Sequence, residues 1–95
     1  MNNYEGIFIV RPVPDKTEQD KILEEIKGVI TKNKGTIEKC ESWGKRRLTY
    51  LINKQSEGTY HILEFLLPGD LVSKIEGIFK INDSILRVLI IKKNS

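Results

Sequence analysis

The sequence is poor in residues that form cross-links or metal sites: it contains one cysteine, one histidine and one tryptophan among 95 residues. A single cysteine cannot form an internal disulfide, so we expect the fold to depend on its apolar core, in a reducing compartment. Cys40 and His61 each lack a second residue of their kind, which excludes a tetrahedral zinc site. The composition therefore argues against a disulfide scaffold and a zinc module.

Long apolar runs are also missing. No run approaches the roughly 18 residues that span a bilayer, and the first residues lack the basic region and cleavage site of a signal peptide. A chain of this length buries roughly 60–65% of its unfolded surface, enough for one core. We therefore expect a single domain over residues 1–95 in the cytoplasm, with no membrane partner.

Charge is nearly balanced in number but uneven in position. Sixteen Lys and Arg residues face thirteen Asp and Glu residues, a net charge of +3. Residues 44–54 and 86–95 contain no acid. Their seven basic residues are Lys45, Arg46, Arg47, Lys54, Arg87, Lys92 and Lys93. The rest of the chain holds nine bases and thirteen acids, a net of −4, so the protein is a mildly acidic body with two basic segments.

Hydrophobic periodicity predicts a strand and then a helix in the first third of the chain. An apolar run stopped by Pro12 and Pro14 predicts a strand over residues 4–10 that is covered on both faces and is therefore central. Asp15 is predicted to cap a helix, and Gly35 to end it. The apolar stripe of this helix is Ile22, Leu23, Ile26, Val29 and Ile30.

From residue 36 onward the pattern changes to the alternation of strands. A long strand is predicted over residues 37–52, with a bulge or bend at Gly44. The polar residues 53–58 are predicted to form a turn. This turn joins the long strand to an antiparallel strand over residues 59–67.

The last third completes the pattern with a helix and a strand. Pro68, Gly69 and Asp70 are predicted to close the third strand and cap a second helix, and a final strand is predicted over residues 85–91. The apolar stripe of this helix is Leu71, Ile75, Ile78 and Phe79. The order β-α-β-β-α-β predicts an α+β, ferredoxin-like sandwich: a four-stranded antiparallel sheet with two helices on one face. The first and third strands are then central.

Such a fold leaves one sheet face without helices, where function must be sought. We expect Leu63, Phe65 and Leu67 to pack against the helices. The residues expected on the open face are Tyr60, Ile62 and Leu66. They are either scattered surface apolar residues or a platform that another protein covers. In the last strand, either Arg87, Leu89 and Ile91 or Leu86, Val88 and Ile90 face the core.

The basic run Lys45–Arg47 is the strongest candidate binding feature. Arginine fits phosphate bidentately, and the nearby Trp43 and Tyr50 offer flat surfaces for RNA bases. The alternative is a solvated edge strand whose cations prevent sheet-to-sheet aggregation. The residue chemistry leaves both open, although the basic residues of the second segment add to the RNA-binding interpretation.

Catalysis has little support in the sequence. His61 has no nucleophile or paired-carboxylate motif around it, and Cys40 is predicted to be a small, half-buried residue. Acylphosphatases share the predicted topology but need a glycine-rich anion loop after the first strand. Here that position holds prolines, at residues 12 and 14, which lack amide donors. The third strand also matches the RNA-recognition motif poorly. We expect no enzyme activity, no cofactor and no small-molecule substrate.

Motifs spaced along the whole chain carry a family resemblance. The most specific is the run Trp43-Gly44-Lys45-Arg46-Arg47-Leu48-Thr49-Tyr50, followed by Ile52-Asn53-Lys54 and Gly58-Thr59-Tyr60. Tyr4-Glu5, Arg11-Pro12, Gly35 and Asn82-Asp83-Ser84-Ile85-Leu86-Arg87 also match. Over essentially its full length, the sequence resembles the family of bacterial small-subunit ribosomal protein six.

The resemblance implies a structural, non-enzymatic protein of the small ribosomal subunit. It implies binding to small-subunit ribosomal RNA together with ribosomal protein eighteen, during assembly and translation. The residues expected at RNA are Lys45, Arg46, Arg47, Lys54, Arg87, Lys92 and Lys93. Those expected at RNA or at the protein partner are Tyr4, Tyr50, Tyr60, Ile62 and Leu66.

A different class of function is compatible with the same residues. A non-ribosomal interaction module would dimerise through the open sheet face instead of binding RNA. Sedimentation of a cell extract separates the two hypotheses, because only a ribosomal protein co-migrates with small subunits.

Overall fold

A computed structural model describes residues 1–52 and 54–93 and contains four strands and two helices in that part of the chain. In chain order the elements are β1 (Asn2–Val10), α1 (Lys16–Lys32), β2 (Thr36–Ile52), β3 (Gln55–Leu67), a 3-10 turn (Gly69–Leu71), α2 (Val72–Lys80) and β4 (Ile85–Lys92). The sheet order is β2-β3-β1-β4, with every neighbouring pair antiparallel. This confirms the predicted ferredoxin-like α+β fold with β1 and β3 at its centre.

The core lies between the two helices and one face of the sheet. Phe8 of β1 meets Phe79 of α2 edge to face, with ring centroids 4.9 Å apart. On β3, the predicted core-facing residues are fully buried; these are Leu63, Phe65 and Leu67. Cys40 is half-buried against this core, as expected. No helix of the described residues is long and apolar enough to cross a membrane.

Helix α1 begins as predicted and ends differently. The Asp15 carboxylate accepts a hydrogen bond from the Thr17 amide at 2.9 Å, which confirms the cap. At the other end, Lys34 and not Gly35 adopts the left-handed conformation, with φ of 69°. Gly35 is needed for a close approach, because a Cβ there would lie 2.5 Å from Ile30 Cγ2 and 2.7 Å from the Ile30 carbonyl oxygen.

The predicted cap of the second helix is wrong. Asp70 lies inside the 3-10 turn, and neither the turn nor α2 has a side-chain cap. The backbone supplies the bonds instead: the Leu71 amide donates to the Pro68 carbonyl and the Val72 amide to the Gly69 carbonyl. The apolar stripe of α2 is confirmed, with Ile75 and Phe79 buried.

The hairpin between β2 and β3 is longer than predicted. β3 begins at Gln55, so most of the predicted turn over residues 53–58 is strand, while residue 53 lies outside the described residues. Polar residues remain in the ladder here because this part of the hairpin extends past the end of β1, which pairs with β3 only as far as Val10, opposite Thr59. The predicted bulge is confirmed: the register shifts between Ser42 and Gly44, and Gly44 has φ of 80°.

The register of β4 shows which alternate residues of this strand face the core, a question that the sequence leaves open. Val88 and Ile90 pack against the core, and they lie opposite Phe8 and Gly6 of β1. A bulge at Leu86 breaks the alternation. The open-face residues of β4 are therefore Arg87, Leu89 and Ile91.

Candidate functional site

Side chains on the open face form rows that cross the sheet from β4 to β2. Directly paired residues of antiparallel strands point to the same face, so the register defines each row. The rows are Arg87, Ile9, Tyr60 and Gly44; then Leu89, Ile7, Ile62 and Glu41; then Ile91, Glu5, Glu64 and Lys39. The middle row is mostly apolar, and Leu89 leaves 52% of its surface exposed at its end.

Acidic side chains border this apolar patch on one side. Glu5 lies opposite Glu64 in the third row, and Lys93 Nζ donates to Glu64 Oε1. On the other side, towards Arg87, a depression of about 310 Å³ is lined by Ile7, Ile9 and Leu89 among others. The open face therefore presents an apolar depression with carboxylates at one border.

The basic run lies on a projecting hairpin. In the hairpin arm, residues 46–58, none of the described residues pairs with β1, since β1 ends opposite Thr59. Alternation along β2 places Arg46 on the open-face side, opposite Gly58, and Lys45 and Arg47 on the other side, opposite Thr59 and Glu57. The predicted cations Lys45, Arg46, Arg47 and Lys54 are all exposed, so both surfaces of the arm carry positive charge.

Trp43, predicted to offer a flat surface for RNA bases, joins the arm to the edge of the sheet. The Arg46 guanidinium lies 5.7 Å from the Trp43 ring centroid, a cation–π distance, and the indole N–H donates to Glu41 Oε2 at 3.4 Å. Lys39 Nζ is 3.0 Å from Glu41 Oε1. Its hydrogen bond lowers the pKa of the Glu41 carboxyl, and the carboxylate in turn raises the pKa of Lys39. Trp43 and Arg46, three positions apart in the sequence, were the signal for this cluster.

Within the described parts of the two basic segments, one side-chain hydrogen bond joins them. Arg87 Nη1 of β4 donates to the Tyr50 hydroxyl of the arm at 2.6 Å, over Ile9 and Tyr60. Lys92 and Lys93 lie at the other end of β4, five or six residues away, or roughly 17–20 Å at about 3.3 Å per residue. The seven predicted RNA-binding residues therefore form a group of five around the arm and a separate pair.

The aromatic and apolar candidates divide between the two faces. Tyr60, Ile62 and Leu66 lie on the open face, as expected, although Ile62 is only 9% exposed. The structure corrects the prediction that Tyr4 contacts RNA or the protein partner. Tyr4 is 6% exposed and packs beside Phe65 in the core, with ring centroids 5.9 Å apart. Its place in the alternation with Phe8 and Val10 was the sequence signal for that position. Its burial does not support a contact to RNA or a partner.

His61 is a core residue on the helix-facing side. It is 4% exposed, and burial lowers the pKa of its imidazole, an effect that Asp20 opposes and Lys27 reinforces. Its Nδ1 has no hydrogen-bond partner among the described residues. Nor does that part of the chain contain a cluster of His, Cys, Asp and Glu that would hold a metal.

The fold and the site together define a class: a small α+β domain that presents a basic hairpin and an open, partly apolar sheet as binding surfaces. Residues 3–92 match the family model described as Ribosomal protein S6. The chain belongs to the ribosomal protein S6 family, whose members are structural, non-enzymatic proteins of the small ribosomal subunit. This membership confirms the family predicted from the motifs and the predicted cytoplasmic, ribosome-associated location, and it favours the ribosomal role over the non-ribosomal module.

Relatives match over nearly the whole chain. The small ribosomal subunit proteins bS6 of Clostridium acetobutylicum and Clostridium novyi are 41% and 37% identical over 91 residues, which is 96% of this chain and 96% of each relative. A crystal structure of 30S ribosomal protein S6 from Thermotoga maritima superimposes with a TM-score of 0.88 at 29% identity. It covers 97% of this chain and 87% of that one.

Proposed function

We propose that this protein binds small-subunit ribosomal RNA through its hairpin arm while its open sheet face binds ribosomal protein eighteen. The observation that carries this proposal is the separation of two chemically different surfaces on one small domain. One is a projecting basic arm and the other an apolar depression on the sheet. Each matches one of the two partners that the family resemblance implies.

The arm suits RNA because its charge is exposed and comes with an aromatic ring. Arg46 and Arg47 lie on opposite surfaces of the arm, so the arm can contact phosphates on two sides when it enters a groove or junction. Each phosphate that a cation neutralises releases counterions and makes binding depend on salt. Trp43, 51% exposed, supplies a flat surface beside these cations for an unstacked base.

The open face suits a protein. Leu89 and Ile91 leave 52% and 45% of their surfaces exposed on neighbouring rows, and the depression between β1 and β4 lies next to them. Exposed apolar clusters rimmed by charge are typical of protein interfaces. The carboxylate of Glu5 at the border would pair with a basic group of the partner, whereas Glu64 is already paired with Lys93.

The RNA part of the proposal is tested by the double variant Arg46→Gln/Arg47→Gln. If both cations contact phosphates, the slope of log affinity against log salt becomes shallower by about 1.4–1.8, because each phosphate contributes about 0.7–0.9. The measurement is binding of small-subunit RNA, with ribosomal protein eighteen present, at four or five salt concentrations.

A matched control removes the same charge elsewhere. Lys21 and Lys74 are exposed on the two helices, so Lys21→Gln/Lys74→Gln should leave the slope unchanged. Equal slopes for the arm variant and the wild type would contradict the assignment of the arm to RNA.

The protein part is tested by Leu89→Asp. A carboxylate in the apolar row would be buried without a partner in the complex, and we expect a loss of about tenfold or more in affinity for ribosomal protein eighteen. Ile81, 82% exposed at the end of α2, gives the control Ile81→Asp, which should bind normally. Wild-type affinity of Leu89→Asp would remove the open face from the interface.

A further inference from the structure

We propose that Arg87 is a positioning residue: through Tyr50 it holds the hairpin arm over the open face, and it does not itself neutralise an RNA phosphate. The functional consequence rests on the proposed RNA binding. The contact itself is a property of the free protein and can be tested without RNA.

The contact joins strands that the sheet keeps apart. β2 and β4 are the two edge strands, with β3 and β1 between them. Three strand spacings of about 4.8 Å put these edges roughly 14 Å apart. Yet the Tyr50 hydroxyl of β2 lies 2.6 Å from Nη1 of Arg87 on β4. Both side chains are long, and the backbone contributes as well: Thr49 and Tyr50 of the arm line one depression with Ile9 and Arg87, so the arm bends towards β4 over the open face.

The ladder with β3 does not determine that bend. In the described register, the pairing steps from Arg47 opposite Glu57 to Ile52 opposite Gln55. Four residues of β2, 48–51, thus lie against a single residue of β3, Ser56. A bulge of this size leaves the segment with few ladder hydrogen bonds to fix its direction. Tyr50 lies within this segment, so its bond to Arg87 acts where the sheet gives least support.

Packing beneath the arm is incomplete as well. A depression of about 170 Å³, partly open to solvent, lies between the arm and the side chains of Ile9 and Tyr60, and Arg87 forms part of its wall. Side chains that line an open depression make fewer contacts than core side chains, so apolar packing there holds the arm weakly. The hydrogen bond between Tyr50 and Arg87 is therefore a specific contact that joins the arm to the sheet.

The guanidinium of Arg87 is already engaged with the arm. Arg87 is exposed, as Arg46, Arg47 and Lys54 are, but its Nη1 donates to the Tyr50 hydroxyl beside Ile9 and Tyr60. A pre-ordered arm loses less conformational entropy when it binds, which raises affinity without adding a phosphate contact. Arg87 thus contributes to RNA affinity through Tyr50 and leaves the salt dependence unchanged.

The first experiment measures amide hydrogen exchange of residues 48–52 in the free protein. Tyr50→Phe removes only the hydroxyl, and Arg87→Gln replaces the guanidinium by an amide too short to reach Tyr50. Each should speed exchange of this segment about 2- to 12-fold, the range that one net hydrogen bond supplies. The double variant should show no further increase, since both substitutions break one contact. Lys92→Gln, on the same strand, is the control and should have no effect. Unchanged exchange in both single variants would overturn the proposal.

The second experiment separates this proposal from the proposed function. Arg87→Gln and Tyr50→Phe should weaken RNA binding by the same factor and keep the wild-type salt slope, whereas Arg46→Gln should reduce the slope by about 0.7–0.9. A reduced slope for Arg87→Gln would make it a phosphate contact and overturn the positioning role. Failure of the wild-type protein to bind RNA would instead overturn the proposed function. The hydrogen-exchange data alone would then decide whether the contact between Arg87 and Tyr50 orders the arm.

Discussion

The two faces of β3 predict opposite outcomes for the same substitution. Leu63 has no exposed surface and lies between Gly6 of β1 and Cys40 of β2. Leu66, three residues further on, is half-buried on the open face. We predict that Leu63→Asp unfolds the domain at neutral pH and that Leu66→Asp leaves it folded.

The magnitudes support this difference. Truncating a core leucine costs about 2–5 kcal/mol, and burying a polar group without a partner adds about 2–7 kcal/mol. Leu63→Asp therefore costs about 4–12 kcal/mol in total. A domain of 95 residues has a free energy of unfolding of about 5–14 kcal/mol, at 0.05–0.15 kcal/mol per residue. In the middle of both ranges the cost is close to the whole stability, whereas a half-buried leucine contributes only about 1 kcal/mol.

The assay is far-UV circular dichroism with urea denaturation of three variants. Leu63→Ala should stay folded and lose about 2–5 kcal/mol, which calibrates the core contribution separately from the carboxyl. Leu63→Asp should lack a cooperative transition, and Leu66→Asp should unfold cooperatively near the wild-type midpoint. A Leu63→Asp variant as stable as Leu66→Asp would refute the assignment of faces on β3.

Two further predictions concern stability. Gly35→Ala should lower the free energy of unfolding by about 1–3 kcal/mol, because its Cβ would lie within 3.0 Å of Ile30 and of the Leu66 carbonyl. Gly28→Ala has nothing within 4 Å of the new Cβ and should raise the free energy of unfolding by about 0.5–1 kcal/mol. Equal urea midpoints for the two variants would contradict both predictions. Since the pKa of His61 is lowered from 6.5 in the fold, unfolding takes up a proton, so stability should fall as the pH drops below 6.5 by at most about 1.4 kcal/mol per pH unit. Urea titrations at pH 5–7.5 should find this slope absent in His61→Gln, and an identical slope in that variant would assign the effect to another group.

Topology and strand faces were readable from the sequence because they depend on local pattern. The period-2 alternation on β3 divided its residues into two largely apolar sets, and the parity that we assumed, with Leu63, Phe65 and Leu67 in the core, is confirmed. The run stopped by Pro12 identified β1 as central. The basic residues of the arm were also found correctly as an exposed group, since consecutive cations do not bury.

The contacts that shape the site depend on distant residues and left no local signal. The tie between Tyr50 and Arg87 arises from a bulge that places four residues of β2 against one of β3, and neither hydrophobic period nor composition encodes such a step. The parity of β4 was hidden for a similar reason, because the bulge at Leu86 interrupts its alternation. Tyr4 is different: its alternation with Phe8 pointed to the core, and the family motif drew attention to it as a contact residue instead.

The most direct test of the proposed function mixes three purified components: this protein, ribosomal protein eighteen and small-subunit ribosomal RNA. Gel-shift titrations of the RNA with each protein alone and with both together measure whether one complex contains all three. We predict a ternary complex whose affinity falls with salt and which Arg46→Gln/Arg47→Gln weakens. RNA binding by ribosomal protein eighteen that is unaffected by this protein, together with no binding by this protein in any mixture, would contradict the proposal.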